Sequence, residues 1–357
     1  MTLLSSSSKL RATTSWLRLI LRWILRVFLV LLVLVAALIA SLYFTALEAQ
    51  QPVGFQAQQT TDGEGKPLLV GIWYPTTSPL ANHWANSFFM KVAKNGEIKG
   101  RQLPLVVISH GTGGGITSHI DLALALASSG YVVAAPMHSD NYLDSSSVGS
   151  LQYIKGRNSQ LTKTIDFMLN QWNGASSIDA SKVGAYGFSI GGFTVLTSVG
   201  AKPNLKSVAK YCVEHREFVC DMLLDAKSFL LTPDLPVGID AFSTDPRIKA
   251  AVLAAPGLGF TFTEQDGLKN VQIPIQIWQG NQDTLVPFAT NSKLISENLP
   301  NKAELHLVAN AAHTSFLAPC GILKLIPICS DPDQFDRQDF HQQMNSQVLE
   351  FYNRQLK

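Results

Sequence analysis

The pentapeptide Gly187-Phe188-Ser189-Ile190-Gly191 sets a serine between two glycines, each two positions away. A serine hydroxyl is a weak nucleophile at neutral pH and becomes effective only beside a base. The G-x-S-x-G spacing by itself arises by chance in roughly one chain in ten of this length. Its surroundings sharpen it. Residues 182–188 read as an apolar strand and residues 190–199 as a helix. Ser189 therefore falls in a tight strand-to-helix turn that lifts its hydroxyl above the sheet edge. It also falls at a helix N-terminus, where developing negative charge is favoured. The competing reading is an ordinary N-cap serine.

The base must be one of eight histidines. His313 lies in Asn310-Ala311-Ala312-His313-Thr314-Ser315-Phe316, directly after a strand expected over residues 303–308. A loop of small residues there can turn an imidazole back over the sheet. His306 sits inside that strand, and His83, His119, His138, His215 and His341 fall in expected loops or on helix faces. The histidine in turn needs an acid to fix its tautomer and stabilise its cation. Asp283, in Gly280-Asn281-Gln282-Asp283-Thr284-Leu285-Val286-Pro287, follows a strand expected over residues 273–278. A solvated turn aspartate is the plain alternative. Asp245 and Asp331 are less well placed, because neither directly follows a strand.

A glycine-rich stretch, His110-Gly111-Thr112-Gly113-Gly114-Gly115, follows an apolar strand over residues 104–109. It is not a phosphate loop: it lacks the Gly-Lys-Ser/Thr ending, and Ile116 stands where a dinucleotide motif needs its third glycine. Such a turn lets backbone N–H groups approach an oxyanion. The expected donors are the N–H of Thr112 and the N–H of Ile190. His110 is expected to hold the loop.

Positioning these residues calls for strands that alternate with helices. A hairpin of residues 54–61 and 67–75 flanks the turn signal Asp62-Gly63-Glu64-Gly65. Helices are expected over residues 118–129, 150–172, 190–199, 289–298 and 334–355, and further strands over 131–136 and 250–254. The pattern is α/β, a mainly parallel sheet with helices on both faces. Residues 201–246 interrupt it and read as a helical, lid-like insertion over the mouth of the sheet, or as plain core packing.

The chain has 357 residues, 46% hydrophobic and 15% charged. Lys9, Arg11, Arg18, Arg22 and Arg26 precede residue 50, with Glu48 as the only acid there. Setting these aside reduces the 28 basic and 26 acidic residues to 23 and 25, a nearly neutral body. Nucleic-acid binding, which needs a clustered basic footprint, is not expected. Residues 27–46 carry no charge, and twenty helical residues span about 30 Å, one bilayer core. Basic residues before the run put the N-terminus in the cytoplasm and the body across the membrane. A cleaved signal peptide is the competing reading. The expected layout is a disordered tail (1–15), a transmembrane signal anchor (16–46), a linker (47–53) and a catalytic domain (54–357). The cysteines fall in two near pairs, Cys212 with Cys220 and Cys320 with Cys329, which suits two disulfides in an exported chain. Four free thiols are the alternative. No metal or cofactor is implied.

Together these residues resemble the α/β-hydrolase superfamily. Within it the chain is similar to dienelactone-hydrolase-like proteins and platelet-activating-factor acetylhydrolases. The resemblance rests on Ile72-Trp73-Tyr74-Pro75, Ser109-His110-Gly111, Gly187 to Gly192, Asp245-Pro246-Arg247-Ile248-Lys249-Ala250 and the Asp283 and His313 loops. It covers about residues 54–355. Ser189, Asp283 and His313 stand in the chain order of that fold's triad. Dienelactone hydrolases use a cysteine where this chain has Ser189. The resemblance thus implies ordinary ester cleavage through an acyl-enzyme, on a short-chain or lipid-like ester. An amidase or peptidase with the same triad, and an inactive membrane-anchored binding module, are the alternatives.

Overall fold

The computed structural model describes residues 6–44, 46–85, 88–232, 235, 238–263, 266–320 and 327–357. The chain divides into two compact units, residues 1–46 and 47–357.

The first unit is one helix, α1 (Ser6–Phe44), whose stretch Arg18–Ser41 is long and apolar enough to cross a bilayer. The helix begins inside the segment expected to be a disordered tail; residues 1–5 lie outside the described residues. No glycine or proline occurs in the helix. Serine and threonine cost only a few tenths of a kcal/mol in a helix interior, and extending a formed helix is far easier than nucleating one.

The second unit opens where a linker was expected. Leu47 instead bridges to the edge of the sheet, its N–H donating to Phe89 O at 2.8 Å and its C=O accepting from Lys91 N at 2.8 Å. Next come the hairpin strands β1 (Val53–Thr61) and β2 (Pro67–Pro75). Two strands with no sequence expectation follow, β3 (Ala81–Ala85) and β4 (Phe88–Lys94), with β4 parallel to β1. Their short runs carry His83, Trp84, Lys91 and Lys94, so they lack the continuous apolar signal of a central strand. His83 accordingly sits on a strand, not in a loop or on a helix.

The rest alternates: β5 (Leu103–Ser109), α2 (Ile120–Ser128), β6 (Val132–Pro136), α3 (Arg157–Asn170), β7 (Ile178–Phe188) and α4 (Ile190–Ser198). The insertion contributes α5 (Ser207–Glu214) and α6 (Phe218–Asp225). Then come β8 (Ile248–Ala254), β9 (Ile275–Gly280), α7 (Ser292–Asn298), β10 (Glu304–Val308) and α8 (Arg337–Leu356). Among the described residues the sheet has ten strands in the order β10-β9-β8-β7-β5-β6-β2-β1-β4-β3. From β6 to β10 every pairing is parallel, and the order turns at β5, between β6 and β7.

Each face of the sheet has its own core. Along β5, Leu105 and Val107 pack with α3 and α4, while Val106 and Ile108 pack with α2 and α8. This is the two-residue period of a strand buried on both faces. All four residues are at most 3% exposed, and each such side chain contributes about 1.5–3 kcal/mol.

The helix expected over residues 150–172 is not uniform. Its first turn, Gln152–Gly156, is a π-helix that runs directly into α3. The extra residue shifts which side chains face the sheet's carboxyl edge.

Candidate active site

Ser189 occupies the turn between β7 and α4 with φ 57° and ψ −122°. For a residue with a Cβ this is strained backbone, of a kind that persists only where surrounding structure over-determines it. Here the surroundings are glycines. A Cβ on Gly191 would lie 2.0 Å from Ser109 O, and one on Gly187 would lie 2.2 Å from Gly191 O. Strand and helix approach too closely there for any side chain.

His313 reaches back from β10 to Ser189. Neighbouring strands are about 4.8 Å apart, so β10 stands about 14 Å from β7, with β9 and β8 between. The loop closes that gap. His313 Nε2 lies 3.0 Å from Ser189 Oγ, and His313 Nδ1 lies 2.7 Å from Asp283 Oδ2. Asp283 Oδ2 also accepts from Gln279 Nε2 at 3.0 Å, and Oδ1 accepts from the N–H groups of Leu285 and Val286 at 3.0 and 2.8 Å. A carboxylate so held accepts a hydrogen bond from Nδ1–H and leaves Nε2 with a lone pair aimed at the serine. The His313 loop is braced from behind. Ser315 Oγ accepts from Ala312 N and donates to Asp331, which grips the Arg337 guanidinium. Asp331 is thus a support for the loop, and Asp245 is bound to Arg247.

The glycine-rich loop after β5 lies beside the turn after β7 because β5 and β7 are neighbours. A Cβ on Gly111 would sit 3.3 Å from Ser189 Cβ. Thr112 and Ile190 line the same cavity as Ser189, and neither N–H has an acceptor among the described residues. His110 does hold the loop: its Nδ1 bonds Gly111 O at 2.6 Å, and its Nε2 accepts from His138 N at 3.0 Å. Burial, then the nearby charge of Arg157, keeps both His110 and His138 well below the usual imidazole range, hence neutral.

Two residues without a sequence expectation also support this loop. Arg157, fully buried, donates both Nη groups to His110 O. Tyr153 bonds Thr112 Oγ1 at 2.7 Å. A sequence signal for Arg157 exists: it falls four residues after Tyr153 and four before Leu161, on the apolar stripe of its helix, where a charge needs buried partners.

The cavity above Ser189 measures about 280 Å³. Its walls are mainly apolar, including Ile190, Phe218, Met222, Leu258, Leu285 and Leu317, with Glu217 as a carboxylate at one side. Phe218 and Met222 come from the insertion. Cys212 and Cys220 are disulfide-bonded and join α5 to α6; Cys320 and Cys329 are likewise bonded and close the segment after the His313 loop.

The sheet order, the strained serine turn and the loops at the carboxyl edges of β5, β7, β9 and β10 decide the architecture. The chain has the α/β-hydrolase fold. A ferulic acid esterase from Streptomyces cinnamoneus superposes with a TM-score of 0.60 at 18% identity, over 87% of this chain and 94% of that one. A cold-adapted esterase from an Arctic intertidal metagenomic library aligns over 86% of this chain and 96% of its own, at 14% identity and a TM-score of 0.47. Residues 72–168 match the family described as platelet-activating factor acetylhydrolase, isoform II. That match runs from β2 to α3 and includes the glycine-rich loop, Tyr153 and Arg157. No curated protein matches the chain.

Proposed function

We propose that this chain is a serine hydrolase that cleaves carboxylic esters, with Ser189 as nucleophile, His313 as general base and Asp283 as its orienting acid. The observation that carries the proposal is the continuous hydrogen-bonded row from Ser189 Oγ through the His313 ring to Asp283 Oδ2, at 3.0 and 2.7 Å.

The reaction follows from the arrangement. His313 Nε2 takes the proton as Ser189 Oγ attacks the ester carbonyl. The N–H groups of Thr112 and Ile190 receive the negative charge that forms on the carbonyl oxygen. The imidazolium returns its proton to the departing alcohol, leaving an acyl-Ser189. Water activated by His313 then attacks this ester and releases the acid.

The apolar walls suit an acyl chain, and the partial match to an acetylhydrolase family supports a short-chain or lipid-like ester. The insertion (201–246) serves as a lid that shapes the acyl pocket, consistent with Phe218 and Met222 in its wall. The apolar helix Arg18–Ser41 acts as a signal anchor, with the hydrolase domain on the extracytoplasmic side. The basic residues before the apolar run and the two disulfides support that orientation.

Ser189→Ala should abolish turnover of p-nitrophenyl acetate and butyrate, and a fluorophosphonate probe should label the parent at Ser189 alone. Turnover by Ser189→Ala at the parent's rate would refute the assignment. A parallel panel of anilides and peptides separates ester from amide cleavage.

A further inference from the structure

Thr112 carries a hydroxyl as well as an N–H, and its partner is unusual. Tyr153 is 2% exposed, and its hydroxyl is within 2.7 Å of Thr112 Oγ1. Both residues line the cavity that holds Ser189. Thr112 itself is exposed, and a Cβ on its neighbour Gly111 would meet Phe188 and then Ser189.

Two hydroxyls that share one hydrogen bond still have one proton to place. Were Thr112 the donor, the buried phenol proton would need a second acceptor, and no other partner of the Tyr153 hydroxyl is found among the described residues. A buried donor left without an acceptor loses its hydration with nothing in return. Tyr153 therefore donates to Thr112 Oγ1, and the threonine proton is left free for an acceptor in the cavity that both residues line. Burial also pushes the phenol well above its ordinary range, so it keeps this proton.

The π-turn gives an independent reason to see design in this contact. Such turns are rare, carry one extra residue and recur at functional sites. This one, Gln152–Gly156, contains Tyr153 and is followed at once by Arg157. Four residues apart, the two side chains meet the same loop, Arg157 at His110 O and Tyr153 at Thr112 Oγ1. A β-branched threonine has few χ1 choices, and the phenol selects among them.

We propose that the Thr112 side-chain hydroxyl is a third donor to the oxyanion, aimed by the Tyr153 phenol acting as a positioning residue. The proposal rests on the reading of Ser189 as nucleophile. A donor that acts only on the developing charge lowers kcat when removed and leaves KM in place.

Thr112→Val removes the hydroxyl and keeps the shape. On p-nitrophenyl butyrate its kcat should fall about 100-fold, the scale for one lost oxyanion donor, with KM within about threefold. Thr112→Ser should recover most of that loss, and Tyr153→Phe should lose about 10-fold, a partial share of the same donor's effect. Affinity for a trifluoromethyl ketone, whose serine adduct bears the same oxyanion, should fall in proportion to kcat across the series. Thermal unfolding midpoints check that each variant is folded. A Thr112→Val enzyme with kcat within twofold of the parent overturns the proposal. So does a raised KM at constant kcat, which would assign the hydroxyl to ground-state binding. Ser189→Ala, run beside them, separates the two claims. Its loss of turnover with Thr112→Val unaffected sinks only the hydroxyl; its retention of turnover sinks the nucleophile.

Discussion

In the proposed triad Asp283 would orient the His313 ring, and its own carboxylate is held from several sides. Three donors besides His313 fix its carboxylate: the Gln279 amide and the N–H groups of Leu285 and Val286. Gln279 is itself anchored, its Oε1 accepting from Ser292 Oγ at 2.6 Å. The carboxylate plane is therefore set independently of the histidine, and with it the imidazole tautomer. Asp283→Asn preserves size but offers an amide where Nδ1–H must donate. If the proposed triad holds, kcat should fall about 10⁴-fold while the unfolding midpoint changes little, as steady-state kinetics and a melt on the same sample would show. A loss under tenfold would mean that His313 is oriented by something else.

At the scale of elements, the close approach of α4 to β5 dictates the site. Gly191 packs against the Ser109 carbonyl with no room for a methyl group. Gly191→Ala has only backbone to displace, so it should cost more than about 3 kcal/mol, the upper range of ordinary overpacking. It should also move Ser189 away from His313. Denaturant unfolding reports the first effect and fluorophosphonate labelling the second. The insertion acts at the same scale. Its helices are joined by the Cys212–Cys220 disulfide, and Met222 faces the cavity. Met222→Trp should shift the chain-length optimum of p-nitrophenyl esters toward shorter acyl groups. An unchanged profile would remove α6 from the acyl pocket and leave it as core packing.

Across the whole domain, acid stability depends on imidazoles buried neutral. His119 is held at about 4 by burial, with Asp121 pulling the other way, and His110 and His138 lie well below 6.5. Each folded value is below the unfolded one. Their stabilisation is therefore complete above pH 6.5 and is lost as the pH falls toward the folded values. For His119 alone the loss by pH 4 is on the order of 3 kcal/mol. Asp140 opposes this, since burial raises its carboxyl despite the nearby Arg157 charge. Calorimetry across buffers should show the unfolding midpoint dropping steadily below pH 6.5, with uptake of about two protons per molecule near pH 5. A flat midpoint from pH 6.5 to 4.5 would mean that these rings are already charged in place.

Local pattern was sufficient for the parts whose signal is local. The strand-turn-helix around Ser189, the buried strands and the hairpin of residues 54–75 show in apolar runs and turn residues, because a strand buried on both faces admits few polar side chains. The loops carrying Asp283 and His313 could be ranked for the same reason, as each follows such a strand. Strands β3 and β4, at the β3 end of the sheet, lack a continuous apolar run, since strands near an edge accept lysine and histidine. Leu47 has no strand signal of its own, and the β4 strand it bridges to lacks one too. Tyr153 and Arg157 carry no expectation beyond a helix over residues 150–172, because a π-turn has no strong sequence signature. That His313 spans three strands to reach Ser189, and that Tyr153 meets Thr112, are consequences of sheet order. Contacts between residues 124 and 41 positions apart are set by packing, which no window along the chain contains.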